Sequence, residues 1–225
     1  MIVKIDDGFR IQKENPRKKL EELIVPTNRA LITDVVNKGY MLASKASKDF
    51  PFISGQEGTT DFLSRMKSLA IKFYMKQYCD KGILPFKYKV KPNETKNHDY
   101  LLIYNDEGSF HLTINQCKNM NKPAVPAGYR IQENKNFQSY FDFDFNVYKT
   151  SDFNDDNLYL ELDHGYQSEQ PMFIGLGIPK NDKSWYSVID LAKETPVLRR
   201  NFITKPADIK EIDVDTFKEF IRNKG

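Results

Sequence analysis

Apolar positions in the first third of the chain recur at helical spacing. Asn15-Pro16 pairs a capping residue with a proline at the first helical position, and Leu20, Leu23 and Ile24 follow on one face. Pro26 predicts the end of that helix. Thr27 can cap a second one, running to Asn37-Lys38 and closed by Gly39 in a left-handed C-terminal position. The strongest stripe begins at Thr59-Thr60-Asp61. Phe62, Met66, Leu69, Ala70 and Phe73 share a side, and Gly82 is the expected stop. That helix should be about five turns long, enough to serve as a central packing element.

Beyond Gly82 the period changes to two. The run KYKVKP (87–92) reads as a strand, and residues 99–118 read as a hairpin with arms at 100–104 and 110–118. Its turn, 105–108, ends in Gly108, which supplies a positive φ. Alternation predicts Phe110, Leu112, Ile114, Gln116 and Lys118 on one face, and His111, Thr113, Asn115 and Cys117 on the other. Pro123 and Pro126 break regular structure. Farther on, QSYFDFDFNVY, NLYLELD and PMFIGLGIP read as strands, residues 185–191 fit either a strand or a short helix, and 213–223 close the chain with a helix carrying Phe217, Phe220 and Ile221. The expected fold is α+β: N-terminal helices packed on a mixed or mainly antiparallel β-sheet, with a C-terminal helix. Residues 1–225 are expected to form a single domain, with a weak boundary near 119–128.

Composition narrows the class without naming a function. The chain has 225 residues, 40% of them hydrophobic, and a formal net charge of +3, which suits a globular protein able to bury a core without staples. No apolar run approaches the length of a membrane helix, and the first residues, MIVKIDDGFRIQKENP, lack the apolar core of a secretory signal. Cys79 and Cys117 are the two cysteines, neither in a CxxC pair. A cytoplasmic protein with reduced thiols and no membrane association is expected. Lysines outnumber arginines 26 to 8, a usage typical of an A/T-rich bacterial or phage genome.

The charges are unevenly spread. Residues 61–96 carry nine basic side chains against three acidic ones, whereas 141–163 carry seven acidic against one basic. Aromatics interleave the basic block, as in segments that meet phosphate. Arg65, Lys72, Lys76, Lys87 and Lys89 are the candidate nucleic-acid contacts. A solvated helix face balanced by the acidic block would explain the same pattern.

The hairpin carries the sharpest chemistry. Asp99 opens one arm, and Gln116-Cys117-Lys118 closes the other. This arrangement resembles the metal-binding core of the PD-(D/E)xK nuclease superfamily in its QxK variant. The resemblance covers residues 99–118. His98 stands where the family often has proline, and the family's helix after the second strand meets Pro123 and Pro126 here. The resemblance implies a Mg²⁺-dependent, restriction-endonuclease-like hydrolase of DNA phosphodiesters. Asp99 and Gln116 would be metal ligands, Lys118 the catalytic cation, and Glu57 or Asp61, from the helical region before it, would complete the site. Gln116 and Lys118 lie two residues apart on a strand, so both can present to one cation and one phosphate. The alternative is a non-catalytic protein-binding or regulatory module of a bacterium or phage, associated with defence or anti-defence, whose partner is a protein rather than DNA.

Other constellations are weaker. Asp142 and Asp144 alternate with phenylalanines, which water-facing carboxylates over an apolar face explain. His98, His111 and His164 show no metal-ligand spacing. His164 could act as a base with Asp163, and a turn residue is the plainer reading. Gly175-Leu176-Gly177 is a lone GxG inside a strand pattern and predicts close packing. Walker, nucleophile-elbow and dinucleotide-binding motifs are absent from the sequence.

Overall fold

A computed structural model describes residues 2–4, 10–12, 15–49, 60–93, 95–96, 98–141, 158–165, 168–180, 183–194 and 214–223. Glu57 and the FDFDF carboxylates Asp142 and Asp144 lie outside these residues. A short hairpin of β1 (Ile2–Lys4) and β2 (Arg10–Gln12) precedes the helices and has no counterpart in the hydrophobic pattern.

Helix α1 (Pro16–Leu23) starts as the sequence predicts. The Asn15 side chain accepts from the Arg17 backbone N–H at 2.9 Å, and Pro16 needs no partner for its nitrogen. Pro26 ends one helix and opens the next, occupying the first turn of α2 (Pro26–Lys48). Val25, not Thr27, holds the cap position and makes no side-chain capping bond. Gly39 does not stop α2, which runs nine residues past it. A Cβ there would lie 2.6 Å from Ile71 Cγ1 and 2.9 Å from the Ile71 backbone, so the glycine lets α2 and α3 (Thr60–Asp80) touch. Gly82, at φ +66°, turns the chain after α3.

The main sheet has six strands in sequence order: β3 (Lys87–Pro92), β4 (Asp99–Tyr104), β5 (Phe110–Cys117), β6 (Leu158–Gly165), β7 (Ile174–Pro179) and β8 (Trp185–Asp190). All neighbours are antiparallel except β5 and β6, which pair in parallel from Phe110↔Leu158 to Cys117↔Gly165. A parallel pair needs a crossover, and the crossover here contains α4 (Gly128–Phe141). The first four residues of the strand expected from Gln138 instead form the last turn of α4, and the rest of it lies outside the described residues. Helix α5 (Val214–Arg222) closes the described chain. Helices against a mixed sheet with a C-terminal helix make the expected α+β layout.

Alternation in the sheet sorts residues into two layers. Leu101, Ile103, Phe110, Leu112, Ile114, Leu158, Leu160 and Leu162 join one core with α1, α2, α3 and α5, in which Phe73 meets Phe217 and Phe220. The opposite face lies under α4 and the segment before it. Close packing explains the GxG pair: a Cβ on Gly175 would meet Met120 at 2.9 Å, and one on Gly177 would meet Trp185 at 2.7 Å. Among the described residues no helix is long and apolar enough to cross a membrane.

Candidate functional site

From Phe110 to Cys117 the hairpin faces follow the predicted alternation. Gln116 reaches α3, where its Oε1 accepts from the Ser64 hydroxyl at 2.9 Å and its Nε2 donates to the Ser64 carbonyl at 2.6 Å. His111, on the other face, lies 3.1 Å from the Glu133 carbonyl of α4. Asp99 occupies the helical face by the same alternation, in line with the buried Leu101 and Ile103. Register places Leu102 opposite Thr113, and Asp99 and Gln116 each lie three residues beyond that pair, at one end of the sheet. Lys118 is exposed and follows the last strand residue, Cys117.

Cations surround this end. Lys72 is buried, with its Nζ 3.4 Å from the Asp99 carbonyl. Burial, followed by the charge of Lys72, draws the His98 imidazole below its ordinary pKa; Asp99 opposes this and Arg65 adds to it. Lys67 is also buried, bonding the Ser168 carbonyl at 2.8 Å over the Tyr40 ring, and burial lowers its pKa. His164 sits beside Gln116 in the β5–β6 ladder. It is a fully buried strand residue rather than a turn residue, with Nδ1 2.9 Å from the Tyr40 hydroxyl. Burial, then Lys67 and Lys72, push it down to about 3, so the ring is neutral. Asp61, at the start of α3, is exposed. Among the described residues no group of three or more His, Cys, Asp and Glu side chains is placed to hold a metal ion.

The basic candidates do not share one surface. Arg65 is exposed within electrostatic reach of His98, and Lys76 lies over the Tyr88 and Phe220 rings. Lys87 pairs with Asp106 at 2.5 Å and Lys89 lies over Tyr104. In β3, Tyr88 joins the helical core, so alternation sends Lys87, Lys89 and Lys91 to the α4 side, where Lys91 meets Glu133 at 2.9 Å. Lysines along an edge strand also discourage pairing with a second sheet.

A second polar cluster, which the sequence pattern does not flag, lies beneath α4. Tyr159, Glu161 and Asp163 of β6 point to this face and are buried. Tyr159 donates to Glu161 Oε1 at 3.0 Å, and the Ala124 N–H donates to Oε2 at 3.2 Å. Asn115 donates to Asp163 Oδ1 at 3.1 Å, and Cys117 Sγ lies 3.2 Å from Oδ2. Arg130 of α4 donates to Asn115 Oδ1 at 2.9 Å. Burial, reinforced by Asp163, pushes Glu161 up to about 8, and burial pushes Asp163 up to about 6. Burial likewise raises the Cys117 thiol, which makes it a poor nucleophile at neutral pH. The available signal was a strand, NLYLELD, carrying two carboxylates on one face; alternation alone assigns that face to water.

No family model matches the chain, and no curated protein or solved structure is significantly similar to it.

Proposed function

We propose that this chain is a Mg²⁺-dependent nuclease acting on DNA at the sheet end that carries Asp99, Gln116 and Lys118. The observation that carries the reading is the shared face of Asp99 and Gln116, three residues beyond one ladder pair and flanked by the cations of α3. A helix following the second strand is part of the family pattern, and α4 supplies one after the proline-containing break. Mg²⁺ takes one or two protein oxygens and completes its shell with water and phosphate. An exposed carboxylate and an amide oxygen fit that demand, with Asp99 and Gln116 holding the ion. Bound there, Mg²⁺ would polarise the phosphate and lower the pKa of water. The rest falls to the chain itself. Arg65 and Lys72 attract the polyanion, and Lys118 offsets the charge that builds as water adds to phosphorus and an alkoxide leaves. Cations beside Asp99 weaken binding of the ion alone, so metal and phosphate should bind together.

A second reading has its own observation. Both Gln116 amide atoms are engaged by Ser64, which is what a structural glutamine would do. That favours a non-catalytic module with a protein partner. Mn²⁺ titration separates the two. Paramagnetic broadening centred on the amides of Asp99 and Gln116, stronger with a DNA oligonucleotide present, is the expected result. Spectra unchanged by Mn²⁺ with and without DNA leave the binding-module reading in place.

A further inference from the structure

On the face of the sheet away from Asp99, a cavity of about 320 Å³ opens between the 123–126 segment, α4 and the end of β7. We propose that this cavity binds a small organic anion, whose charged head is held by Arg130, Lys180 and Lys183 and whose remaining polar contacts are Glu161 and Asn134.

Its size is at the small end of the range for ligand sites, about 300–1,000 Å³. The walls divide by chemistry. Pro123, Pro126, Pro179 and Ile131 give rigid apolar surface for a ligand body. The polar lining comprises three cations, the Glu161 carboxyl and the Asn134 amide. Arg130 uses one terminal nitrogen on Asn115 and Tyr129, and its buried Nε has no hydrogen-bond partner among the described residues. A buried guanidinium N–H left open costs roughly 1–3 kcal/mol, and an anion would satisfy it. Lys180 is steadied by the Tyr186 ring, 4.7 Å away, and by its own N–H to the Ser184 carbonyl at 2.7 Å.

Glu161 forms the floor, 3% exposed. An ionised floor would repel an anion. Burial holds the Glu161 proton to about pH 8, so near neutrality it is an uncharged group able to donate. The groups that set this state face it from several elements. Tyr159 and Asp163 belong to its own strand, and Tyr129 and Arg130 come from α4. Cys117 faces it from β5, and Lys180 and Lys183 stand across the cavity. Ligand binding should therefore favour the protonated carboxyl and weaken as pH rises past 8.

The test is calorimetric titration of the full chain with four probes: phenyl phosphate, benzoate, phenol and inorganic phosphate. Phenyl phosphate or benzoate should bind saturably at neutral pH, and their ranking tells a phosphate head from a carboxylate. Phenol and inorganic phosphate should each bind at least about tenfold more weakly, since each lacks half of the recognised ligand. The surface double variant Lys180→Gln/Lys183→Gln should lose about tenfold in affinity. Raising the pH from about 7 to about 9 should weaken binding to wild type by a similar factor, and Glu161→Gln should flatten that profile. If Glu161→Gln fails to fold, the lysine variant and the wild-type profile still decide. Absence of saturable binding by both organic anions overturns the proposal. So does equal binding to the lysine variant, or inorganic phosphate binding as tightly as phenyl phosphate.

Discussion

Glu161 makes stability depend on pH in a direction unusual for a carboxylate. Its folded pKa is raised from the ordinary 4.5 to about 8, so the folded chain keeps a proton that the unfolded chain releases. Stability from that proton is complete below about pH 4.5 and is lost as pH rises toward 8. Asp163, raised by burial beside it, acts in the same direction. His164, depressed from 6.5 to about 3, acts oppositely: its contribution grows as pH rises from 3 and is complete by about 6.5. Between about pH 6.5 and 8, His164 is neutral in both states, and the Glu161–Asp163 pair is what still titrates differently in the two. Urea unfolding should show stability falling with pH across that window, by at most about 1.4 kcal/mol per unit. Glu161→Gln should remove the slope. A wild-type slope that is flat or rising would show that the carboxyl is ionised in the fold.

At the scale of elements, the crossing of α2 and α3 depends on Gly39. Adding a methyl there forces the Ile71 backbone away, so Gly39→Ala should cost about 1–3 kcal/mol despite its better helix propensity, measured by chemical denaturation. The same residue shows where local pattern misleads. Gly39 follows Asn37-Lys38 as a helix stop would, yet it serves a contact with a residue thirty-two positions later, invisible to local spacing. Helix α3 and the hairpin were legible because their periods are strong and their turns carry Gly82 and Gly108 at positive φ, and β6 and β7 because their apolar runs are strong. Helix α4 was not: Ile131 is exposed, and the sequence GYRIQENKNFQSYF has no clear apolar stripe. Missing α4 meant missing the polar cluster beneath it. Without its cover Glu161 and Asp163 read as solvated; with it they are buried, and Arg130 arrives beside them. The shared face of Asp99 and Gln116 was legible because strand alternation needs no partner to be read.

Over the whole molecule, the net charge of +3 conceals cations divided between two faces of the sheet. Arg65 stands within electrostatic reach of His98, the residue before Asp99, while Lys87 and Lys89 are on the α4 side, one of them paired with Asp106. If DNA lies along the Asp99 end, Arg65→Ala should lower affinity and reduce the salt slope by about one unit, whereas Lys87→Ala/Lys89→Ala should change the slope less. Fluorescence anisotropy over a range of salt concentrations reads both. The most direct measurement is cleavage of long, random-sequence DNA by wild type, Asp99→Ala and Lys118→Ala, each with Mg²⁺, Mn²⁺ or chelator. Lys118 is exposed, so its alanine variant should fold within about 0.5 kcal/mol of wild type. The account predicts metal-dependent cutting by wild type, loss of about 10²–10³ in rate for Lys118→Ala, and loss of cutting for Asp99→Ala that excess metal partly restores. Intact DNA under every condition, or equal cutting by wild type and both folded variants, would contradict it.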